Sequence, residues 1–142
     1  MTTVIATILF LIFLFISSIH FYWAFGGKWG SDAVLPTKND NNTKVLQPTI
    51  LPTLIVAIGL LGFGLFILVM SGLISFNIPQ WLSKYGLWII ASIFTLRAIG
   101  DFNYVGVFKK IKQTKFGEND TKYFSPLCLT IGILTIILEV TK

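Results

Sequence analysis

The sequence predicts an all-α fold, an integral membrane four-helix bundle, from its composition and from the lengths of its apolar segments. Of its 142 residues, 54% are hydrophobic and 12% are charged, and the mean hydropathy is +0.80. A soluble domain carries about 25% charged residues. About 20 apolar residues span the hydrocarbon core of a bilayer as a helix. We expect one transmembrane domain over residues 1–142, with helices at about 3–25, 51–74, 86–108 and 125–140.

The first helix is almost uniformly apolar and ends in an aromatic segment. It lacks the basic region and the small-residue cleavage pattern of a secretory signal, so an uncleaved helix is predicted. Tyr22 and Trp23 near its end, Trp29 in the next loop and Trp81 before the third helix are expected to be interface anchors. Such rings suit the membrane–water boundary because one edge is apolar and the other is polar.

The second and fourth helices carry small or capping residues. In the second helix, Gly59, Gly62 and Gly64 would let a neighbouring helix approach closely. The fourth helix is expected to begin with Ser125 as its N-cap, followed by proline at the first helical position.

The distribution of lysines predicts the topology. Eight lysines lie in the two longer loops: Lys28, Lys38, Lys44, Lys109, Lys110, Lys112, Lys115 and Lys122. The opposite side of the membrane has only Lys84 and Lys142. By the positive-inside rule, loops 26–50 and 109–124 are cytoplasmic and both termini lie outside. The formal charge of +5 therefore indicates topology and contact with anionic lipid, and no nucleic-acid partner is expected.

Two charged residues interrupt the third apolar segment. Arg97 and Asp101 lie four residues apart, and a charge at the centre of a membrane helix costs roughly 2.5–3.5 kcal/mol. In a continuous helix Arg97, Asp101 and Tyr104 share one face. His20 and Asp101 are each about 10 Å from the cytoplasmic ends of their helices, at 1.5 Å per residue. We therefore predict an intramembrane polar cluster of His20, Arg97, Asp101 and Tyr104.

The cluster has three interpretations. In the structural one, Arg97 neutralises Asp101 and the pair fixes the register of the bundle. In the second, the arginine binds an anionic lipid or a small amphiphile, because a guanidinium holds carboxylate or phosphate in a bidentate manner. In the third, His20, Arg97 and Asp101 serve a small membrane enzyme or a proton-coupled carrier. We favour a structural or amphiphile-binding protein over an enzyme, and we assign no catalytic residue.

Metal and cofactor chemistry are not expected. The predicted cluster offers one histidine and one carboxylate, fewer than the three or four ligands of a zinc site. Cys128 is the only cysteine, so the chain cannot form an intrachain disulfide. A homo-oligomer is compatible with the sequence, and a carrier with only four helices would require one.

Three sequence blocks resemble a known family. They are His20–Gly30 (HFYWAFGGKWG), Leu96–Gly106 (LRAIGDFNYVG) and Tyr123–Cys128 (YFSPLC). Together they resemble a family of small bacterial membrane proteins known only as domain of unknown function 3995, over nearly the whole chain. The resemblance implies a multi-pass protein of a bacterial cytoplasmic membrane, and it supplies no activity, substrate or catalytic residue.

Overall fold

The computed structural model describes residues 1–27, 50–100 and 120–142, and these residues form four α-helices. The helices are α1 (Thr2–Ala24), α2 (Ile50–Met70), α3 (Gln80–Ile99) and α4 (Ser125–Thr141). A π-helical turn, Asp120–Phe124, leads directly into α4. The helices α1, α2 and α3 are each long and apolar enough to cross a membrane, and so is Lys122–Thr141, which joins α4 to part of the preceding turn. The predicted all-α four-helix fold is confirmed.

The third helix differs most from its predicted bounds. It begins at Gln80, directly after Pro79, whereas the sequence predicted a start near Gly86. It ends at Ile99, because Gly100 has φ of 83° and ψ of −168°, a conformation that favours glycine and leaves the helical region. The predicted end at Phe108 lies outside the described residues. Arguments from the helical spacing of residues in α3 therefore apply only as far as Ile99.

The start of α4 also differs from the expectation. Phe124 already has helical dihedral angles and no side chain caps the helix. Ser125 is therefore the first residue of α4 rather than its N-cap, and its side chain is buried. Pro126 lies in the first turn, where its missing N–H removes no helical hydrogen bond.

The helices pack as two antiparallel pairs. In the first pair, Phe13 of α1 contacts Phe63, while Ser17, one turn later, donates a 2.7 Å hydrogen bond from Oγ to the carbonyl of Ala57. In the second pair, α3 and α4 approach so closely that a Cβ on Gly132 would lie 2.7 Å from Thr95 Oγ1. The two pairs meet mainly through α1 and α4, whereas α2 and α3 touch at few positions.

An aromatic cluster joins three helices at the centre of the bundle. The rings of Phe13, Phe63 and Phe94 meet edge to face, with centroid separations of 5.2 to 6.4 Å. Edge-to-face contacts of this kind are worth about 0.5–1.5 kcal/mol beyond the burial of the rings. Phe13 is fully buried, so this cluster fixes the level of α1 relative to α3, that is, its position along the bundle axis.

The two ends of the bundle carry different charged groups. We call one of them the terminal end, because it contains the N-terminus of α1 and the C-terminus of α4, together with the start of α3. There Lys142 Nζ lies 2.7 Å from Glu139 Oε2 and donates a 3.1 Å hydrogen bond to the carbonyl of Ser83. The loop end has the C-termini of α1 and α3, followed by residues 28–49 and 101–119, which contain most of the lysines.

Candidate functional site at the loop end

Arg97, the only arginine of the chain, lies in the last turn of α3. Its side chain is half-buried and its Nη1 atom is fully enclosed. The carbonyls at a helix C-terminus carry partial negative charge, which stabilises a cation in the last turn. The end of α3 therefore contributes to holding the guanidinium charge within an apolar segment.

Arg97 lies at the same level of the bundle as Ser17. The rings of Phe13 and Phe94 are in contact, with centroids 5.2 Å apart, and α1 and α3 run in the same direction. Ser17 follows Phe13 by four residues and Arg97 follows Phe94 by three, so their levels differ by about 1.5 Å. Ser17 is only 1% exposed, so a polar side chain is buried inside the bundle at the level of the guanidinium.

Ser125 adds a second buried hydroxyl at the loop end. It precedes Gly132 by seven residues, and Gly132 packs beside Thr95 in the antiparallel α3, so Ser125 lies about 7.5 Å beyond Arg97 toward the loop end. The third buried polar side chain of the described residues, Thr135, bonds to the carbonyl of Ile131 in its own helix. Ser17 and Arg97 thus define a polar layer at the loop end, and Ser125 lies beyond it.

His20 lies one turn beyond this polar layer, toward the loop end. Its ring is half-buried, Nδ1 lies 2.8 Å from the carbonyl of Ile16, and the ring meets Trp23 edge to face at 5.2 Å. Because a carbonyl only accepts, Nδ1 carries the proton and donates it. In the neutral ring this leaves Nε2 as the acceptor. Both of these contacts of His20 are with residues of α1.

The predicted cluster is described only in part. His20 and Arg97 both lie at the loop end, with His20 about 6 Å nearer to that end than Arg97 at 1.5 Å per residue. Asp101 and Tyr104 lie outside the described residues. Because α3 ends before Asp101, its helical spacing does not place these two residues on the face of Arg97.

A groove between α2 and α3 was not anticipated from the sequence. It has a volume of about 320 Å³ and opens to the outside of the bundle. It is lined by Gly59, Gly62, Phe63, Phe66, Leu82, Gly86, Ile89 and Ile90. The groove exists because α2 and α3 touch at few positions, and because Gly59 and Gly62 leave its α2 wall without side chains.

The expected interface anchors lie near both ends of the bundle. Tyr22 is 47% exposed near the loop end, and Trp81 is 61% exposed at the terminal end. Trp23 packs on His20, and Trp29 lies outside the described residues. In residues 1–27, 50–100 and 120–142, no three His, Cys, Asp or Glu side chains come close enough to hold a metal ion.

The comparison with known proteins places the chain in a family. A family model described as "Protein of unknown function (DUF3995)" matches residues 13–135, which include all four helices in whole or in part. No curated protein and no solved structure matches the chain. The predicted family is confirmed, and the chain belongs to the DUF3995 family.

Proposed function

We propose that this membrane protein binds an anionic lipid or small amphiphile at its loop end, with Arg97 as the residue that binds the anion. The observation that carries the proposal is the place of Arg97. Its guanidinium lies in the last turn of an apolar helix, with Nη1 enclosed and with the buried Ser17 at the same level. A structural role for a pair of Arg97 with Asp101 is compatible with this function.

The chemistry of the guanidinium supports a phosphate or carboxylate ligand. Arginine presents a planar fork of N–H donors that matches both anions, and it sheds its weaker hydration more readily than lysine. Such charge-assisted hydrogen bonds are about twice as strong as neutral ones. Arg97 is two residues from the end of α3, so an anion at the membrane surface is within reach of its long side chain.

The lysines of the adjoining loops favour the same ligand. Residues 28–49 and 101–119 hold seven of the chain's ten lysines, and both segments adjoin the loop end. On our predicted topology this end faces the cytoplasm, where anionic lipids attract basic segments. An anionic headgroup would therefore meet a favourable potential before it reaches Arg97.

Native mass spectrometry tests this proposal. We expect the purified protein to retain phosphatidylglycerol over phosphatidylcholine by about tenfold, because hydrogen bonds to charged groups contribute about 1.5–3 kcal/mol. Arg97→Gln should remove the preference, and Arg97→Lys should restore only part of it, since lysine lacks the bidentate fork.

Lys84→Gln is the matched control, because Lys84 is an exposed cation at the other end of the same helix. It should leave the preference unchanged. If Arg97→Gln unfolds the protein, the double variant Arg97→Leu with Asp101→Leu removes both charges together. Retention of the preference in either folded variant without Arg97 would contradict the proposal.

A further inference from the structure

We infer that the groove between α2 and α3 holds one hydrocarbon chain of the amphiphile whose anionic group binds Arg97. This inference rests on the proposed function and assigns a binding site to the apolar part of the same ligand.

The length of the groove follows from the contacts between α2 and α3. The ring of Phe66 occupies the space that a side chain at Gly86 would need, so these residues share a level. Gly59 lies seven residues from Phe66 toward the loop end, and Leu82 lies four residues from Gly86 toward the terminal end. The groove is therefore about 16 Å long at 1.5 Å per residue.

The groove has a volume of about 320 Å³ and is lined by apolar side chains and glycines, so its occupant is apolar. It opens to the outside of the bundle, where the hydrocarbon core of a bilayer supplies acyl chains.

The groove and Arg97 share one face of α3. Gly86, Ile90 and Arg97 follow the spacing i, i+4, i+11, which keeps residues on the same side of a helix. Arg97 is eleven residues from Gly86, whereas Gly59 is seven residues from Phe66 in the same direction. The loop-end rim of the groove is thus about 6 Å from the level of Arg97.

This arrangement matches an amphiphile aligned with the bundle. Half of a bilayer's hydrocarbon core is about 15 Å thick. A chain that begins at Arg97 and runs this far along α3 ends inside the groove, beside Gly86. The anion would lie at the loop end and the chain between Gly59 and Ile90.

Photocrosslinking tests the inference with a phosphatidylglycerol that carries a diazirine in the outer half of one acyl chain. In lipid nanodiscs, crosslinks to residues 59–66 and 82–90 should exceed those to the exposed faces of α1 and α4 at least threefold. The double variant Gly59→Leu with Gly62→Leu should reduce this excess to background. Neither glycine has a heavy atom within 4 Å of its Cβ position, and both line the groove, so leucine side chains there extend into it.

Thr130→Leu is the control, because it adds similar bulk at an exposed position of α4 away from the groove. It should leave the excess unchanged. Arg97→Gln should lower groove crosslinking of phosphatidylglycerol to the level of phosphatidylcholine.

The outcomes separate this inference from the proposed function. Crosslinks spread evenly over the helices would contradict the groove as the binding site of the hydrocarbon chain. If the preference for phosphatidylglycerol still depended on Arg97, the anion site would remain supported. Groove crosslinks that Arg97→Gln does not change would overturn the link between the two.

Discussion

Phe13→Ala is expected to lower the free energy of unfolding by about 3 kcal/mol. Buried phenylalanines cost about 3–5 kcal/mol when truncated to alanine. We expect the lower end of this range, because in a membrane the separated helices expose the ring to lipid and not to water. Burying the ring therefore gains less transfer free energy than in a soluble protein. Phe13 is fully buried and meets Phe63 and Phe94, so truncation leaves a cavity among three helices. Steric trapping in bicelles measures the change.

Phe15→Ala is the matched control on the same helix. Its ring is 68% exposed on the outside of the bundle, and surface substitutions change stability by less than about 0.5 kcal/mol. Equal losses for the two variants would show that the aromatic cluster does not hold α1, α2 and α3 together.

Gly132→Leu is expected to destabilise the protein by about 3 kcal/mol, the upper end of the cost of overpacking. A Cβ at this position would lie 2.7 Å from Thr95 Oγ1 and 3.5 Å from the carbonyl oxygen of Ala91. A leucine carries three more carbon atoms beyond Cβ, and the Ala91 carbonyl belongs to the backbone of α3, so α4 must move from α3. Unfolding in bicelles and size-exclusion chromatography follow the loss.

Gly59→Leu makes the same substitution where the added Cβ has no heavy atom within 4 Å and the rest of the side chain enters an open groove. It should keep or slightly raise stability, because leucine favours a helix by up to about 1 kcal/mol over glycine. A loss at Gly59 as large as that at Gly132 would contradict the described packing of α2 and α4.

Hydropathy was sufficient to predict the fold. A helix is the element that satisfies its own backbone hydrogen bonds in lipid, so four apolar segments of sufficient length predict four helices. The bounds of α3 were harder to predict from the sequence. Gln80 and Lys84 made its first turns resemble a loop, and Gly100 resembled the other glycines that are accommodated within apolar helices.

The site was predictable in its charged part and not in its shape. Arg97 was conspicuous because a cation is costly in an apolar segment, and Ser17 shares a helical face with Phe13 and His20. Ser125 was interpreted as a helix cap, because burial depends on how α4 approaches α3 and that approach is not encoded in local spacing. The groove depends on the separation of α2 and α3, which the contacts of the other helices determine.

The central claim is that Arg97 binds the anionic group of an amphiphile. Because Arg97 is the only arginine, ¹⁵N-arginine labels one guanidinium in the unmodified protein. Solid-state NMR of this protein in phosphatidylglycerol bilayers can measure dipolar dephasing between the guanidinium nitrogens and lipid phosphorus. The account predicts strong dephasing at an N–P distance of roughly 4 Å, the separation of a bidentate arginine–phosphate pair. Absence of dephasing, with the protein folded in the same sample, would contradict it.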